Sequence, residues 1–141
     1  MTDHAWTWSI DRQIPSTAAE GKKIVDELLE QLAKHEWAEH DVFGIHLAVE
    51  EALVNAIKHG NQDDPSKFVH VVLGLSTAKM RIEVTDQGQG FDPGEVPDPT
   101  DDDNLDLPSG RGLMLMRSFM SLVEYNSIGN GVVMEKTKTE L

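Results

Sequence analysis

A glutamate and an asparagine stand four residues apart in an apolar segment, Glu51-Ala-Leu-Val-Asn55. Four residues are about 40° apart on an α-helix, so both polar side chains lie on one stripe of the predicted helix. Small neighbours at Ala48, Ala52 and Ala56 leave space beside them. A buried carboxylate needs a partner, because an unpaired charge in a low dielectric is very unfavourable. The stripe is therefore a candidate site, and the alternative is an exposed polar pair at the helix edge.

A second candidate motif, Asp86-Gln-Gly88-Gln-Gly90, directly follows a stretch predicted to be a strand. The two glycines allow the backbone to turn tightly or to approach a ligand closely. A carboxylate held at a strand end can accept two hydrogen bonds, as the amidine-like edge of a nucleotide base requires. A dinucleotide-binding fingerprint fits poorly, because Gly94 comes one position late and prolines replace the expected helix. The alternative is an ordinary turn with a glycine bulge.

A third motif, Gly110-Arg111-Gly112-Leu113, opens another apolar helix. Amides in the first turn of a helix attract anions, and glycines allow phosphate oxygens to approach closely. The segment lacks the Gly-Lys-Ser/Thr of a P-loop. The alternative is a plain loop-to-helix junction with Arg111 in solvent.

An acidic loop lies between the two glycine motifs. Residues 92–109 hold seven of the 25 acidic residues and four of the six prolines. Long loops without secondary structure are uncommon inside compact domains and are often lids. We therefore predict a lid, with a solvated surface loop as the alternative.

Length, composition and charge restrict the class of protein. The 141 residues predict a single domain, 1–141, that is long enough to bury a core. The sequence has no membrane-spanning apolar run, no signal sequence at its start and no cysteine, which favours a cytoplasmic protein without a membrane partner. The net charge of −13 argues against a nucleic-acid partner, because phosphates attract lysine and arginine surfaces.

The elements that position these motifs follow from hydrophobic periodicity and capping residues. Helices are predicted from Ser16 or Thr17 to about Glu36, from Asp41 to Gly60, and over 113–122. Strands are predicted over 4–10, 68–75, 80–86, 123–128 and 132–138. This order predicts an α+β fold, a two-layer sandwich whose mixed, mainly antiparallel sheet of about five strands carries three helices on one face.

In this order, the motifs resemble the histidine-kinase-like ATPase superfamily, whose members share the Bergerat nucleotide-binding fold. The chain shows Glu-x-x-x-Asn on a helix, Asp-x-Gly-x-Gly after a strand, a long loop, and Gly-x-Gly opening a helix. The segment from Glu51 to Gly60 and the short chain are most similar to bacterial anti-sigma-factor serine kinases of the RsbW type. The resemblance runs from about Ile10 to Lys138.

The resemblance implies a role for each candidate residue. Asn55 would coordinate the Mg²⁺ that bridges the ATP phosphates, and Glu51 would be the general base that activates the attacking hydroxyl. Asp86 would accept the adenine amino group, with Gly88 and Gly90 shaping the floor of the site. Residues 93–109 would be the ATP lid. The residues that would cradle the phosphates are Gly110, Arg111, Gly112 and Leu113.

The resemblance also implies an activity and partners. The expected reaction is transfer of the γ-phosphate of Mg·ATP to a serine or threonine of an anti-sigma-factor antagonist. The protein would also sequester a sigma factor and form a homodimer. Two departures leave a nucleotide-binding, partner-switching module without kinase activity open. The segment Gly129-Asn-Gly131-Val132-Val133, which has no hydroxyl, stands where relatives often carry a Gly-Thr-Thr-like segment, and the lid is unusually acidic. A detached histidine-kinase catalytic domain ranks third, because no helical segment with a phosphoacceptor histidine precedes the motifs.

Overall fold

The computed structural model describes residues 6–89 and 110–139. They form five strands, three α-helices and a π-helical turn. In chain order, the elements are β1 (Trp8–Pro15), α1 (Ala18–Lys34), α2 (Glu39–Val54), the π-helical turn (Asn55–Gly60), β2 (Phe68–Leu75), β3 (Lys79–Thr85), α3 (Gly110–Phe119), β4 (Leu122–Tyr125) and β5 (Gly131–Thr137). The sheet has the order β1-β2-β3-β5-β4, and each neighbouring pair in it is antiparallel.

One face of this sheet carries the hydrophobic core. Alternate residues of the strands are buried there, as the two-residue period of a half-covered strand requires. These residues include Val69, Val71, Leu73, Leu75, Met80, Ile82 and Val84. They form one cluster with buried side chains of all three helices, including Leu28, Val49 and Met116. The predicted two-layer α+β sandwich, with its helices on one face, is confirmed.

The first strand lies later in the sequence than predicted. The expectation was 4–10, but β1 is Trp8–Pro15, and it pairs with β2 over its whole length. Several of its residues are exposed because β1 is an edge strand, so hydrophobic alternation marks it poorly. Arg12 faces the helices and forms an ion pair with Glu27 of α1.

A side-chain cap begins α1 but not α2. Of the two predicted caps, Ser16 and Thr17, it is Thr17 that caps α1, because its hydroxyl oxygen accepts a hydrogen bond from the Glu20 amide at 3.3 Å. However, α2 begins at Glu39, and Asp41 lies inside its first turn. The Asp41 carboxylate instead accepts hydrogen bonds from the Thr139 amide (2.8 Å) and hydroxyl (2.6 Å). Burial alone would raise its pKa, but these bonds and nearby Lys136 hold that pKa below its ordinary value.

The third helix begins at Gly110 and not at the predicted residue 113, so the Gly-Arg-Gly motif forms its first turn. This helix packs beside α2, where the Phe119 ring contacts Gly44 and meets the Phe43 ring edge-on at a centroid distance of 6.1 Å. Across the two described segments, no helix combines the length and the apolar character needed to cross a membrane.

Candidate active site

A cavity of about 480 Å³ opens where the end of α2, the π-helical turn, the end of β3 and the β4–β5 hairpin meet. Its volume is in the range of small-molecule sites. The structure brings three of the predicted residues together in its lining: Asn55, Asp86 and Gly88. These residues come from two motifs that are about 30 residues apart, and the packing of the helical layer on the sheet brings them together.

Asn55 is the first residue of the π-helical turn that continues α2 to Gly60. Such wide turns are rare and frequently mark functional sites. Asn55 is only 9% exposed, and within residues 6–89 and 110–139 neither Oδ1 nor Nδ2 has a hydrogen-bond partner. Leaving a buried amide unsatisfied costs about 1–3 kcal/mol. An amide left in this way is a candidate ligand-binding group, and its oxygen is of the type that suits a hard cation such as Mg²⁺.

Glu51 lies one helical turn before Asn55 and is partly buried. Burial raises the pKa of its carboxyl group, and the charge of Glu50 raises it further. A higher pKa makes the carboxylate a stronger base. Glu51 is not part of the cavity lining formed by the described residues, so it stands beside the cavity and not in its wall.

Asp86 directly follows β3 and begins the turn that carries Gly88. Its Oδ1 accepts a hydrogen bond from the Gly88 amide at 2.7 Å, which lowers its pKa. Burial has the larger and opposite effect, and the pKa of Asp86 rises to about 6. At neutral pH the group is still ionised, so it presents a carboxylate acceptor to the cavity.

The backbone approaches Asp86 so closely that two positions require glycine. A Cβ atom on Gly60 would overlap the Asp86 carboxyl group, and one on Gly88 would overlap the Gly60 carbonyl oxygen. The end of the π-helical turn therefore packs directly beneath the Asp86 turn. Gly60 was predicted only as a helix stop, and its contact with Asp86 is not visible in the sequence.

Tyr125 of β4 is a further residue of the cavity wall that the motifs did not identify. Burial raises the pKa of its phenol to about 12, so the group remains a hydrogen-bond donor at neutral pH. The charge of Glu51 also raises this pKa, which places the two groups within electrostatic reach of each other. In the sequence, an aromatic residue in a strand indicates only β-propensity.

Two asparagines, Asn61 and Asn130, also escaped sequence reasoning. Asn61 follows the predicted helix stop, Gly60, and Asn130 lies within the hairpin linker Gly129-Asn-Gly131. Both are hydrogen-bonded to the segment from Asp86 to Gly88. The only sequence signal was the position of an amide side chain next to a glycine in each case.

The remaining predicted site residues are not among the described residues that line the cavity. Gly110, Arg111, Gly112 and Leu113 form the first turn of α3. Gly90 and the predicted lid, 93–109, lie outside the described residues.

Residues 14–136 match the family described as histidine kinase-like ATPase domain. The chain belongs to this family. The match covers α1, α2, both glycine motifs and most of the sheet. The resemblance stated from Glu51, Asn55, Asp86 and the later glycines is therefore confirmed.

Curated relatives of the chain carry kinase and anti-sigma names. The chain is 30% identical to the serine/threonine-protein kinase BtrW of Bordetella bronchiseptica over 69% of this chain and 70% of that protein. It is 31% identical to the anti-sigma F factor of Anoxybacillus flavithermus over 67% and 66%. It is 32% identical to the serine-protein kinase RsbW of Bacillus velezensis over 70% and 64%. The matches thus span about two thirds of each relative.

A solved structure has the same fold. The RsbU and RsbW domains of Rv1364c from Mycobacterium tuberculosis match 94% of this chain with a TM-score of 0.62 and 19% identity. The matched part is 32% of that longer chain.

Proposed function

We propose that this member of the histidine kinase-like ATPase family binds Mg·ATP and phosphorylates a serine or threonine of an anti-sigma-factor antagonist. It would also sequester a sigma factor and switch between these two partners. The observation that carries the proposal is the buried Asn55 amide, which has no partner in the described part of the chain and shares a cavity with the Asp86 carboxylate. Relatives named serine-protein kinase and anti-sigma F factor support the choice of partners.

The described residues fit a magnesium nucleotide. Asn55 offers an oxygen ligand with no competing hydrogen bond among those residues. Asp86 offers a fixed acceptor of the kind that the adenine amino group needs. Beneath it, the backbones of Gly60 and Gly88 pack so closely against each other and the carboxyl group that neither residue could carry a side chain. When bound, Mg·ATP supplies the phosphoryl group to be transferred and the charge that neutralises it.

The chain's own groups then have distinct tasks. Asn55 would hold the metal, and Asp86 would orient the adenine, with Gly88 and Gly90 forming the floor. Glu51 accepts the proton of the incoming hydroxyl, for which its raised pKa suits it. The first turn of α3, Gly110, Arg111, Gly112 and Leu113, would bind the phosphates, because helix N-termini favour anions. The segment 93–109, which lies outside the described residues, would be the lid over the nucleotide.

The second candidate is a partner-switching module that binds nucleotide without transferring phosphate. Val132 of β5 lines the cavity at the position where the resemblance leads one to expect a hydroxyl, and Glu51 stands outside the lining. Both observations favour weak or absent chemistry at an intact binding site.

Incubation with labelled Mg·ATP and the antagonist encoded nearest its own gene separates the candidates. Label on the antagonist, absent with Asn55→Ala, supports the kinase. Nucleotide binding without label supports the module, and no nucleotide binding contradicts both. We also propose that the protein acts in the cytoplasm, where ATP and sigma factors occur. We propose in addition that it forms a homodimer, and light scattering can test this by measuring its mass.

A further inference from the structure

Two asparagines outside the recognised motifs hold the turn formed by Asp86, Gln87 and Gly88, called here the Asp86 turn. We propose that Asn61 and Asn130 are positioning residues that set the preference of the nucleotide site for adenine. This inference rests on the proposed function, because it assigns the base specificity of that same site. The two side chains reach the turn from different parts of the fold, so each supports it independently.

Asn61 joins the Asp86 turn to the core. Its side chain is fully buried, and its Oδ1 accepts a hydrogen bond from the Gln87 amide at 2.8 Å. Its Nδ2 donates to the Ser16 hydroxyl (2.8 Å) and to the Phe68 carbonyl (3.0 Å). The donor end of the amide is therefore fixed by the start of α1 and of β2. Only the oxygen end reaches the turn, and it fixes the main chain one residue after Asp86.

Asn130 holds the same turn from the β4–β5 hairpin. Its carbonyl oxygen accepts a hydrogen bond from the Asp86 amide at 2.9 Å. Its side-chain Nδ2 donates to the Asp86 carbonyl at 3.1 Å and, at 3.5 Å, reaches the Gly88 carbonyl. Asn126 donates to Oδ1 of Asn130 at 2.7 Å, which turns the amide nitrogen toward the turn. The hairpin thus holds the Asp86 backbone through both the main chain and the side chain of Asn130.

These contacts matter because the Asp86 carboxylate has little support of its own. Within the described residues it accepts one hydrogen bond, from Gly88 of the same turn. Its direction in the cavity is therefore set by the backbone of the turn, which the two asparagines hold. Neighbouring Val132 has no hydroxyl to assist. Recognition of the adenine amino group requires an acceptor held within a fraction of an ångström, so loosening the turn should weaken that contact first.

The test compares two nucleotides that differ only at the amino group. Calorimetry in Mg²⁺ gives the dissociation constants of ATP and of purine riboside 5′-triphosphate, which lacks the exocyclic amino group. In Asn130→Ala we expect the preference for ATP to fall about two- to tenfold, the worth of one neutral hydrogen bond. The affinity for purine riboside triphosphate should change less than twofold. Ser127→Ala, an exposed position in the same hairpin, is the matched control and should keep the wild-type preference.

A merely structural role would give a different result. It would lower the melting temperature or weaken both nucleotides equally, and either outcome with an unchanged preference overturns the proposal. If Asn130→Ala does not fold, Asn130→Asp keeps the main-chain bond, removes the donor, and should lower the preference likewise. Asn61→Ala should reduce both the preference and the melting temperature. Wild-type protein that binds neither triphosphate would overturn the nucleotide site itself, whereas failure of this inference alone leaves ATP binding intact.

Discussion

Replacing Asp86 by asparagine should change stability and nucleotide binding in opposite directions. The substitution conserves shape and keeps an oxygen that can accept the 2.7 Å bond from the Gly88 amide. It removes the charge and turns one acceptor into a donor. In the proposed site that donor would face the adenine amino group, which is itself a donor. A hydrogen bond to a charged group is worth about 1.5–3 kcal/mol, so ATP should bind roughly 10–150-fold more weakly.

The same substitution should stabilise the protein without ligand at neutral pH. Burial raises the pKa of Asp86 from 3.8 to about 6, so the folded state binds this proton more tightly than the unfolded state does. The resulting stabilisation is complete below pH 3.8 and is lost as the pH rises through 6. The limit is about 3 kcal/mol at 1.36 kcal/mol per pKa unit, and partial exposure of the group reduces it to about 1 kcal/mol. Asp86→Asn should therefore melt a few degrees higher than wild type at pH 7.5.

Thermal unfolding at pH 7.5 and 4.5 tests the predicted gain in stability, and ATP calorimetry at pH 7.5 tests the predicted loss of affinity. The stability gain should shrink at the lower pH, where wild-type Asp86 is protonated. Asp64→Asn is the matched control, because Asp64 lies on a surface turn with a pKa lowered by the Ser66 hydroxyl and amide. It should leave ATP affinity unchanged. A folded Asp86→Asn protein with wild-type ATP affinity would remove Asp86 from the site, and one that is less stable at pH 7.5 would refute the burial argument.

Three further substitutions test the site and the fold. Glu51→Ala should keep its affinity for Mg·ATP in calorimetry, while the rate of transfer of labelled phosphate falls about 10²–10⁴-fold. The control, Glu50→Ala, should transfer phosphate at the normal rate. A normal rate in Glu51→Ala would refute Glu51 as the general base. Asn55→Ala should abolish Mg·ATP binding and transfer without lowering the melting temperature, because its amide makes no hydrogen bond within the described chain; a large loss of stability would contradict this. Asp41→Asn should cost about 1–3 kcal/mol in urea unfolding at pH 7, because the Thr139 amide and hydroxyl would lose their charged acceptor. The folded pKa of Asp41 is lowered, so this difference should disappear as the pH falls below the ordinary aspartate range, and a difference that persists there would count against the assignment.

The sequence by itself determined the features that depend on neighbouring residues. The strand predicted over 68–75 is β2 at the same bounds, because a run of apolar, β-favouring residues bounded by turn residues marks it. The sequence also predicted a helix cap at Ser16 or Thr17, since a capping bond spans one turn and so depends on nearby residues. The family was readable as well, because its motifs are short and each keeps its residue types within one element.

The tertiary structure alone decided the contacts between distant parts of the chain. The amide of Asn61 reaches Gln87 across 26 positions, and Asn130 reaches Asp86 across 44. Asp41 meets Thr139 across 98 positions and so does not cap α2. A sequence pattern records which residue types are near each other in the chain, but these bonds form only after the sheet and the helices have packed. The same packing leaves the Asn55 amide buried without a partner in the described chain and places it in one cavity with Asp86, which the separate motifs could not show.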